Sequence, residues 1–356
     1  MKAVKKVFVA LSAILVWTAI PAASAHAVSI GQACAKTTLG TRVSIRVNKK
    51  PVIVVCRNVA GRKKWIRVAV QTIATTTTST STTSTTIPVP TISFTDSAHE
   101  YKPNLRYITV EGMQQRAYFL HIPDSYQPGQ PVPLLLAFHS RTSNGIEVLQ
   151  SSQFVSWGSQ MNFIVASVNA SAYENITSWN AGTCCTPATD ALENDVLLTS
   201  AIIEAVKTNY AIDNARVWAV GHSNGGMMAY RLACDLSDKI TAIAVVVGSL
   251  VDTSCNPANQ VSLLHIHGDL DPLVPIQGGG KLNTPNIYYS VLDYAKANSC
   301  NSSSAANSTS EEQQFIWNCP NSSQVQLVNY LANSHEWAEG HSKEILRFLF
   351  AHPRTP

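Results

Sequence analysis

Acidic residues are absent from the first part of the chain. All 22 Asp and Glu residues of the 356-residue protein lie beyond residue 94, where 13 Lys and Arg accompany them. Residues 28–74 carry ten Lys and Arg and no acid. This asymmetry predicts two bodies of opposite charge. Outside the cell we expect no nucleic-acid partner for the basic body. We expect an anionic cell-wall polymer or an acidic polysaccharide, with a soluble spacer as the alternative.

Long apolar runs are lacking except near the start. Lys2–Lys6 is basic, Val7–Ile20 is apolar, and small residues follow up to Ala27. This order is typical of a secretory signal peptide. Cleavage after Ala25 or Ala27 fits equally well, whereas a transmembrane anchor would need a longer run than one that ends at Pro21. We therefore expect an exported, extracellular protein without a membrane span.

Spacings typical of metal sites are also lacking, since neither Cys-x-x-Cys nor His-x-x-x-His occurs. Eight cysteines in an exported chain predict disulfides instead. The pairs that position alone suggests are Cys34 with Cys56 and Cys300 with Cys319. A bridge between Cys184 and Cys185 would be strained, so we expect each of them to pair elsewhere, and their connectivity with Cys234 and Cys255 stays open. No metal and no cofactor are expected.

A tract of Thr and Ser, TTTTSTSTTSTTI at 75–87, divides the chain. It has nothing to bury, which predicts an exposed linker of a composition that can carry O-glycans. The predicted organisation is a signal peptide at 1–27, a small basic module at 28–73, a linker at 74–93 and a large module at 94–356. Two alternating segments, 42–47 and 52–55, predict strands in the small module, which needs its disulfide because it is so short.

The large module alternates strands with helices. A hairpin-like pair, Leu105–Val110 and Gln115–Ile122, comes first, and Glu193–Tyr210 has the spacing of an amphipathic helix. Short apolar runs predict buried parallel strands at Pro133–Phe138, Phe163–Val168, Arg216–Val220, Ala242–Val247 and Leu263–Ile266. Val325–Tyr330 is predicted as the last strand. This alternation predicts an α/β fold, with a mostly parallel sheet covered by helices on both faces.

Ser223 stands where one of these strands meets a helix-forming segment. Gly221 and Gly225 flank it as G-x-S-x-G, which predicts a nucleophile elbow. A Cβ at either glycine would collide with the neighbouring strand or helix. A glycine-rich loop without chemistry is the alternative that this pattern leaves open.

An acid and a histidine follow Ser223 in the chain order that such a fold requires. Asp271 comes just past a buried strand, with Asp269 as its rival. His335 follows the last strand, with His341 as its rival. A serine hydroxyl needs a base to accept its proton, and a carboxylate orients that base. The sequence therefore predicts a catalytic triad of Ser223, His335 and Asp271.

Developing negative charge on a substrate oxygen needs backbone N–H donors. We expect one from Asn224, directly after the nucleophile, and a second from Ser140 or Arg141, in the loop after Pro133–Phe138. His265 lies inside a strand and is expected to have no catalytic role.

Four motifs together resemble the secreted polyhydroxybutyrate depolymerase and feruloyl esterase family of α/β-hydrolases. They are GHSNGGMMAYRLAC at 221–234, WNAGTCC at 179–185, HGDLDPLVP at 267–275 and HEW at 335–337. The resemblance spans nearly all of residues 105–350. It implies an α/β-hydrolase catalytic domain over 94–356, with Ser223 as nucleophile, Asp271 as acid and His335 as base. We expect it to act as a monomer.

The chain departs from this family at two places. His139-Ser140 stands where the family has His-Gly, and the Cβ of Ser140 is expected to narrow the oxyanion loop. Trp337 is followed by Ala-Glu rather than Pro-Gly, which is expected to reshape the pocket rim. We predict that Trp179, Tyr173 and Trp337 contact the phenolic or acyl group of the substrate, with core packing as the alternative for Trp179.

These features predict a secreted serine esterase acting on carboxylic esters, either hydroxyalkanoate polyesters or feruloylated and acetylated plant polysaccharides. Fold and triad alone do not choose between these substrates. The alternative of another class is a noncatalytic cell-wall or polysaccharide-binding protein on a degenerate hydrolase scaffold. A serine peptidase is a third reading, for which no propeller or peptide-binding domain is recognisable.

Overall fold

The computed structural model describes residues 42–47, 50–59, 62–67, 104–252, 254–301 and 305–355. The chain divides into two compact units, Met1–Thr83 and Ser84–Pro356. The predicted signal peptide, the linker and Cys34 lie outside the described residues. The signal peptide, the module boundaries and the Cys34–Cys56 pair therefore remain predictions.

The first unit contains a three-stranded antiparallel sheet. Its strands, in sheet order, are β1 (Arg42–Val47), β2 (Lys50–Val59) and β3 (Arg62–Arg67). The predicted strand at 52–55 is the middle of the longer β2. The third strand was not predicted, because its basic residues give no alternation of apolar and polar positions.

The second unit is built on a ten-stranded sheet. Its strands are β4 (Asn104–Ile108), β5 (Arg116–His121), β6 (Val132–Phe138), β7 (Ile164–Val168), β10 (Ile212–His222), β11 (Ala242–Val246), β12 (Ser262–Gly268), β13 (Ala305–Ser308), β14 (Glu312–Asn318) and β15 (Gln324–Tyr330). They are ordered β13-β14-β15-β12-β11-β10-β6-β7-β5-β4. The six strands from β15 to β7 are parallel, and antiparallel strands complete both edges. A separate hairpin pairs β8 (Ser171–Tyr173) with β9 (Ile176–Ser178).

Six α-helices accompany this sheet within the described residues. They are α1 (Gly145–Ser152), α2 (Phe154–Met161), α3 (Asp195–Asn209), α4 (Asn224–Asp235), α5 (Ile287–Ala297) and α6 (His341–Ala351). Asparagine side chains accept hydrogen bonds from the free N–H groups at the starts of α1, α3 and α5, which is why these helices begin where they do. Across the described ranges, no helix has the length and apolar character needed to cross a membrane.

The core forms two layers, one on each face of the sheet. Strand β6 shows why: Leu134, Leu136 and Phe138 belong to one apolar cluster, whereas Leu135 and Ala137 belong to the other. Helices α3, α4 and α5 contribute to the first cluster and α1, α2 and α6 to the second. Alternate residues of a strand face opposite sides, so a strand buried on both faces is apolar throughout. The predicted α/β-hydrolase fold, mostly parallel with helices on both faces, is confirmed.

The parallel arrangement also positions the candidate site. Strands β10, β12 and β15 run in the same direction, separated only by β11 between β10 and β12. Their carboxyl ends therefore lie at one edge of the sheet, where ligands bind in open α/β sheets. The segments containing Ser223, Asp271 and His335 follow these three strands.

Three disulfides are present among the described residues, and one of them corrects a prediction. Cys300 and Cys319 are bonded, as predicted. Cys184 and Cys185 are bonded to each other, so the expectation that each would pair elsewhere was wrong. A cis peptide bond joins these two residues, and their Cα atoms lie 3.1 Å apart. Cys234 and Cys255 consequently form the third bridge.

Candidate active site

Ser223 occupies the sharp turn between β10 and α4. Its backbone has φ 54° and ψ −118°, a left-handed conformation that costs a non-glycine residue about 1–3 kcal/mol. The turn is held by its neighbours, because the Ser223 N–H donates to the Val246 carbonyl (2.8 Å) and the Ser223 carbonyl accepts from Met227 N–H (3.0 Å). The strained position is therefore imposed by the sheet and the helix together.

The two glycines of the turn are required by close backbone contacts. A Cβ built on Gly221 would lie 2.1 Å from the Gly225 carbonyl oxygen, and one on Gly225 would lie 2.2 Å from the Phe138 carbonyl oxygen. Both distances are far below van der Waals contact, and both involve backbone atoms that cannot rotate away. The glycines thus let α4 start directly against β6 and β10.

The three residues of the predicted triad lie together in one hydrogen-bonded row. Ser223 Oγ is 2.8 Å from His335 Nε2, and His335 Nδ1 is 2.7 Å from Asp271 Oδ2. The Asp271 side chain is buried, and 12% of the His335 side chain is exposed. This is the order nucleophile, base and acid, with each pair within hydrogen-bonding distance.

The surroundings of Asp271 favour its charged form. Burial acts to raise the pKa of this carboxyl, but hydrogen bonds from His335 and from the N–H groups of Val274 and Leu273 outweigh that effect and leave the pKa below its usual value. The two backbone groups donate to Oδ1, each at 2.8 Å. Oδ2 is left to accept from His335 Nδ1–H, so Nε2 of a neutral His335 is free to accept the Ser223 proton.

The two rival residues occupy other positions. Asp269 is exposed, and its backbone N–H donates to the Tyr330 carbonyl (2.9 Å). His341 begins α6, is buried, and accepts a hydrogen bond at Nδ1 from Ala338 N–H (3.1 Å). The geometry therefore favours Asp271 and His335 over these alternatives.

Trp179 makes hydrogen bonds to both of the segments that carry the candidate oxyanion donors. The Asn224 side chain accepts from the Trp179 N–H (2.7 Å) and donates to its carbonyl (3.2 Å). The Trp179 indole N–H donates to the carbonyl of His139 (2.8 Å), directly before Ser140 and Arg141. These bonds fix the helix start relative to the 139–141 loop. The backbone N–H groups of Asn224 and of Ser140 or Arg141 remain the predicted donors.

The His139 side chain also helps to fix that loop. Its ring is fully buried, with Nε2 accepting from Ala170 N–H (3.0 Å) and Nδ1 donating to the Ser140 carbonyl (2.7 Å). Burial lowers the pKa of His139 to about 4, so the ring is neutral and can fill both roles. The residue that precedes Ser140 is thus a structural anchor of the loop.

The three predicted substrate-contact residues differ in accessibility. Trp179 is fully buried. Its hydrogen bonds to Asn224 and His139 hold the two donor segments together, a role that was not predicted from the sequence. The Tyr173 hydroxyl donates to Glu193, which is paired with Arg116. Trp337 is half-buried beside the triad, its ring 6.2 Å from the His222 ring. The His222 ring in turn lies 5.5 Å from the ring of His335, which places Trp337 near the predicted base.

Nothing in the sequence indicated the hydrogen bonds that Trp179 makes to Asn224 and His139. Trp179 and Asn224 are 45 positions apart, and only the WNAGTCC motif marks that segment as unusual.

Within the described part of the chain, no group of three or more His, Cys, Asp or Glu side chains is arranged to hold a metal ion.

Comparison with known proteins finds similar esterases. Residues 188–337, which contain all three triad positions, match the phospholipase/carboxylesterase family. The chain is 33% identical over 171 residues to feruloyl esterase C of Emericella nidulans, covering 48% of this chain and 60% of that protein. It is 26% identical over 240 residues to feruloyl esterase B of Piromyces equi, covering 64% of this chain and 44% of that protein. The chain thus spans less than two thirds of either relative.

A solved structure shares the fold at lower sequence identity. Acetyl xylan esterase from Aspergillus awamori superposes with a TM-score of 0.53 at 17% identity, covering 70% of this chain and all of that one. Such a likeness shows the fold alone. The chain therefore has the α/β-hydrolase fold, and its matched segments are similar to a phospholipase/carboxylesterase family and to feruloyl esterases.

Proposed function

We propose that the protein is a serine esterase that hydrolyses carboxylic esters through an acyl-enzyme. The observation that carries the proposal is the row of hydrogen bonds from Ser223 through His335 to Asp271, with lengths of 2.8 and 2.7 Å. A degenerate binding protein would not need to preserve this geometry together with a strained serine at φ 54°. The noncatalytic alternative is therefore the weaker hypothesis.

In the acylation step, His335 Nε2 takes the proton of Ser223 Oγ as that oxygen attacks the ester carbonyl carbon. Asp271 stays ionised, orients the ring through Nδ1 and stabilises the imidazolium that forms. Collapse of the tetrahedral intermediate expels the alcohol oxygen, which receives the proton from His335. The acid half of the ester is then bound to Ser223.

The negative charge on the tetrahedral oxygen is stabilised by N–H donors of Asn224 and of the Ser140–Arg141 segment. Removing one such donor commonly costs about 10²–10³ in kcat. In deacylation, His335 removes a proton from water, the hydroxide attacks the acyl carbon, and Ser223 Oγ regains its proton from the imidazolium. No cofactor or metal takes part in these steps.

We propose that the substrates are acyl or feruloyl esters of polysaccharides. Support comes from the names of the relatives, which are feruloyl esterases. The half-buried Trp337 and the exposed Leu270 and Leu273, which flank Asp271 in sequence, supply apolar surface near the site for an aromatic acid. Direct substrate contact is proposed for Trp337, whereas Trp179 and Tyr173 act by holding the surrounding loop.

Secretion and the role of the basic module also belong to the proposal. The predicted signal peptide at 1–27 and the three disulfides among the described residues support export, because disulfides are typical of exported enzymes. The basic module at 28–73 would retain the enzyme on anionic polymers while the large unit performs the chemistry.

A turnover screen of the purified protein tests the substrate class. We expect hydrolysis of aryl acetates and methyl ferulate, and release of ferulate from feruloylated polysaccharide. If a hydroxybutyrate polymer were degraded faster than any feruloyl ester, the substrate would be a polyester and not a polysaccharide ester. No turnover of any ester would favour the binding protein.

A further inference from the structure

A row of buried polar side chains leads from the Asp271 loop into the core. It consists of Tyr230 on α4 and of His265 and His267 on β12, all three of them fully buried. None of them is part of the triad. Buried polar groups need partners, and a chain of them inside an apolar core is costly unless every member is satisfied.

The members are joined in sequence. The Tyr230 hydroxyl is 2.7 Å from His265 Nδ1, and His265 Nε2 is 3.0 Å from His267 Nδ1. His267 Nε2 is 2.8 Å from the Val274 carbonyl oxygen and 3.5 Å from Asp271 Oδ2. The row therefore ends at the loop that carries the candidate acid.

The direction of every bond in this row follows from its last acceptor. A carbonyl oxygen can only accept, so His267 Nε2 bears the hydrogen that points at Val274. A neutral imidazole has one N–H, hence His267 Nδ1 accepts from His265 Nε2–H. His265 Nδ1 must then accept from the Tyr230 hydroxyl. Burial lowers the pKa of both histidines, which agrees with two neutral rings.

The row of histidines contacts the Asp271 loop at Val274, whose backbone makes two hydrogen bonds. Val274 donates its N–H to Asp271 Oδ1 (2.8 Å) and accepts at its carbonyl from His267 (2.8 Å). The catalytic carboxylate is thus connected to the histidine row through one residue, Val274, whose two adjoining peptide groups each make one of these bonds. A change in the backbone of Val274 would move Oδ2 away from His335.

We propose that Tyr230, His265 and His267 are positioning residues for Asp271, acting as a directional hydrogen-bond chain that orients the catalytic carboxylate toward His335. This inference rests on the proposed esterase function. It goes beyond satisfying polar groups in the core, because it predicts that a hydroxyl three hydrogen bonds away from Val274 in the Asp271 loop changes the chemical step.

The test compares two tyrosines of the same cluster. Tyr230→Phe removes the hydroxyl that donates the first hydrogen bond of the chain, to His265 Nδ1. Tyr294→Phe is the matched control, since Tyr294 is also fully buried, its ring is 5.4 Å from that of Tyr230, and its hydroxyl donates to the Val261 carbonyl (3.0 Å). Purified full-length variants are assayed with a small soluble aryl ester, well below their melting temperatures.

We expect Tyr230→Phe to lower kcat about 5-fold, equivalent to the net worth of one hydrogen bond, with KM unchanged. Tyr294→Phe should lose a similar amount of stability while keeping the wild-type kcat. Equal kcat values in both variants and the wild type would overturn the proposal and leave the row as a core feature.

A second pair of variants tests the link to Val274. His267→Gln keeps an N–H donor and an acceptor, whereas His267→Leu has neither. The leucine variant should lose about 10- to 100-fold in kcat, by analogy with the loss that follows replacement of hydrogen-bond partners behind metal ligands, and glutamine should restore most of that loss. A folded leucine variant with wild-type kcat, or glutamine no better than leucine, would contradict the proposal. An inactive wild type would instead refute the esterase function itself.

Discussion

Replacing Asp271 by Asn changes one atom of the site while keeping its shape. In the wild type, Asp271 Oδ1 accepts from two backbone N–H groups at 2.8 Å, and Oδ2 accepts from His335 Nδ1 at 2.7 Å. The amide oxygen of the new Asn must take the place of Oδ1, because only an acceptor satisfies the two N–H donors. Its NH₂ group then faces His335.

That reversal changes the tautomer of His335. Facing a donor, Nδ1 must accept, so the single hydrogen of the neutral ring moves to Nε2, where it points at Ser223 Oγ at 2.8 Å. His335 can then no longer accept the serine proton. The same change in a serine protease lowers kcat by about 10⁴, which corresponds to about 5.5 kcal/mol of transition-state stabilisation.

The assay measures kcat and KM for a soluble aryl ester in Asp271→Asn and in Asp269→Asn. Asp269 is the matched control because it carries the same carboxylate two residues earlier and is exposed. We expect a loss of about 10⁴ in kcat for the first variant and nearly wild-type turnover for the second. A larger loss for Asp269→Asn would show that the acid has been misassigned.

Three further predictions concern the turn, the pH dependence and the basic module. Gly225→Ala should abolish activity and lower the melting temperature, because its Cβ would lie 2.2 Å from the Phe138 carbonyl oxygen; a stable, active alanine variant would refute the packing argument. Stability to urea should fall as the pH drops from about 6.5 toward 4, because a histidine whose pKa is lowered in the folded protein favours the unfolded state when it is protonated. Unchanged stability would contradict the lowering of the pKa to about 4 at His139, His222 and His341. A truncated protein that begins at Phe94 should hydrolyse small esters at the full-length rate but lose salt-sensitive retention on anionic polysaccharide, as exposed charges are screened over about 8–10 Å. Equal retention of both proteins across a salt series would leave the module as a spacer.

The parallel core of the fold could be predicted because its strands are buried on both faces and are therefore apolar throughout. Strands β6, β7, β10, β11 and β12 all correspond to predicted apolar runs, and β15 corresponds to the predicted last strand. The two outer strands β13 and β14 were missed because neither is apolar throughout: in β14, for example, only Trp317 is fully buried. Sequence patterns report burial, so an edge strand with both faces partly exposed leaves no such pattern.

The candidate site could likewise be predicted only in part. The positions of Ser223, Asp271 and His335 follow from the order of strands along the chain. The hydrogen bonds between Trp179 and Asn224, and the buried row from Tyr230 to Val274, join separate elements and could not be predicted from either element alone. The Cys184–Cys185 bridge was excluded on general grounds of strain, yet the two cysteines are bonded across the cis peptide that joins them.

Covalent labelling of Ser223 is the most direct test of the central claim. A fluorophosphonate probe should label the wild-type protein, and peptide mapping should place the adduct on Ser223. Ser223→Ala should lose both the label and nearly all ester hydrolysis while keeping the wild-type melting temperature to within a few degrees. Labelling of the alanine variant at another serine, with hydrolysis retained, would contradict the assignment of Ser223 as the nucleophile.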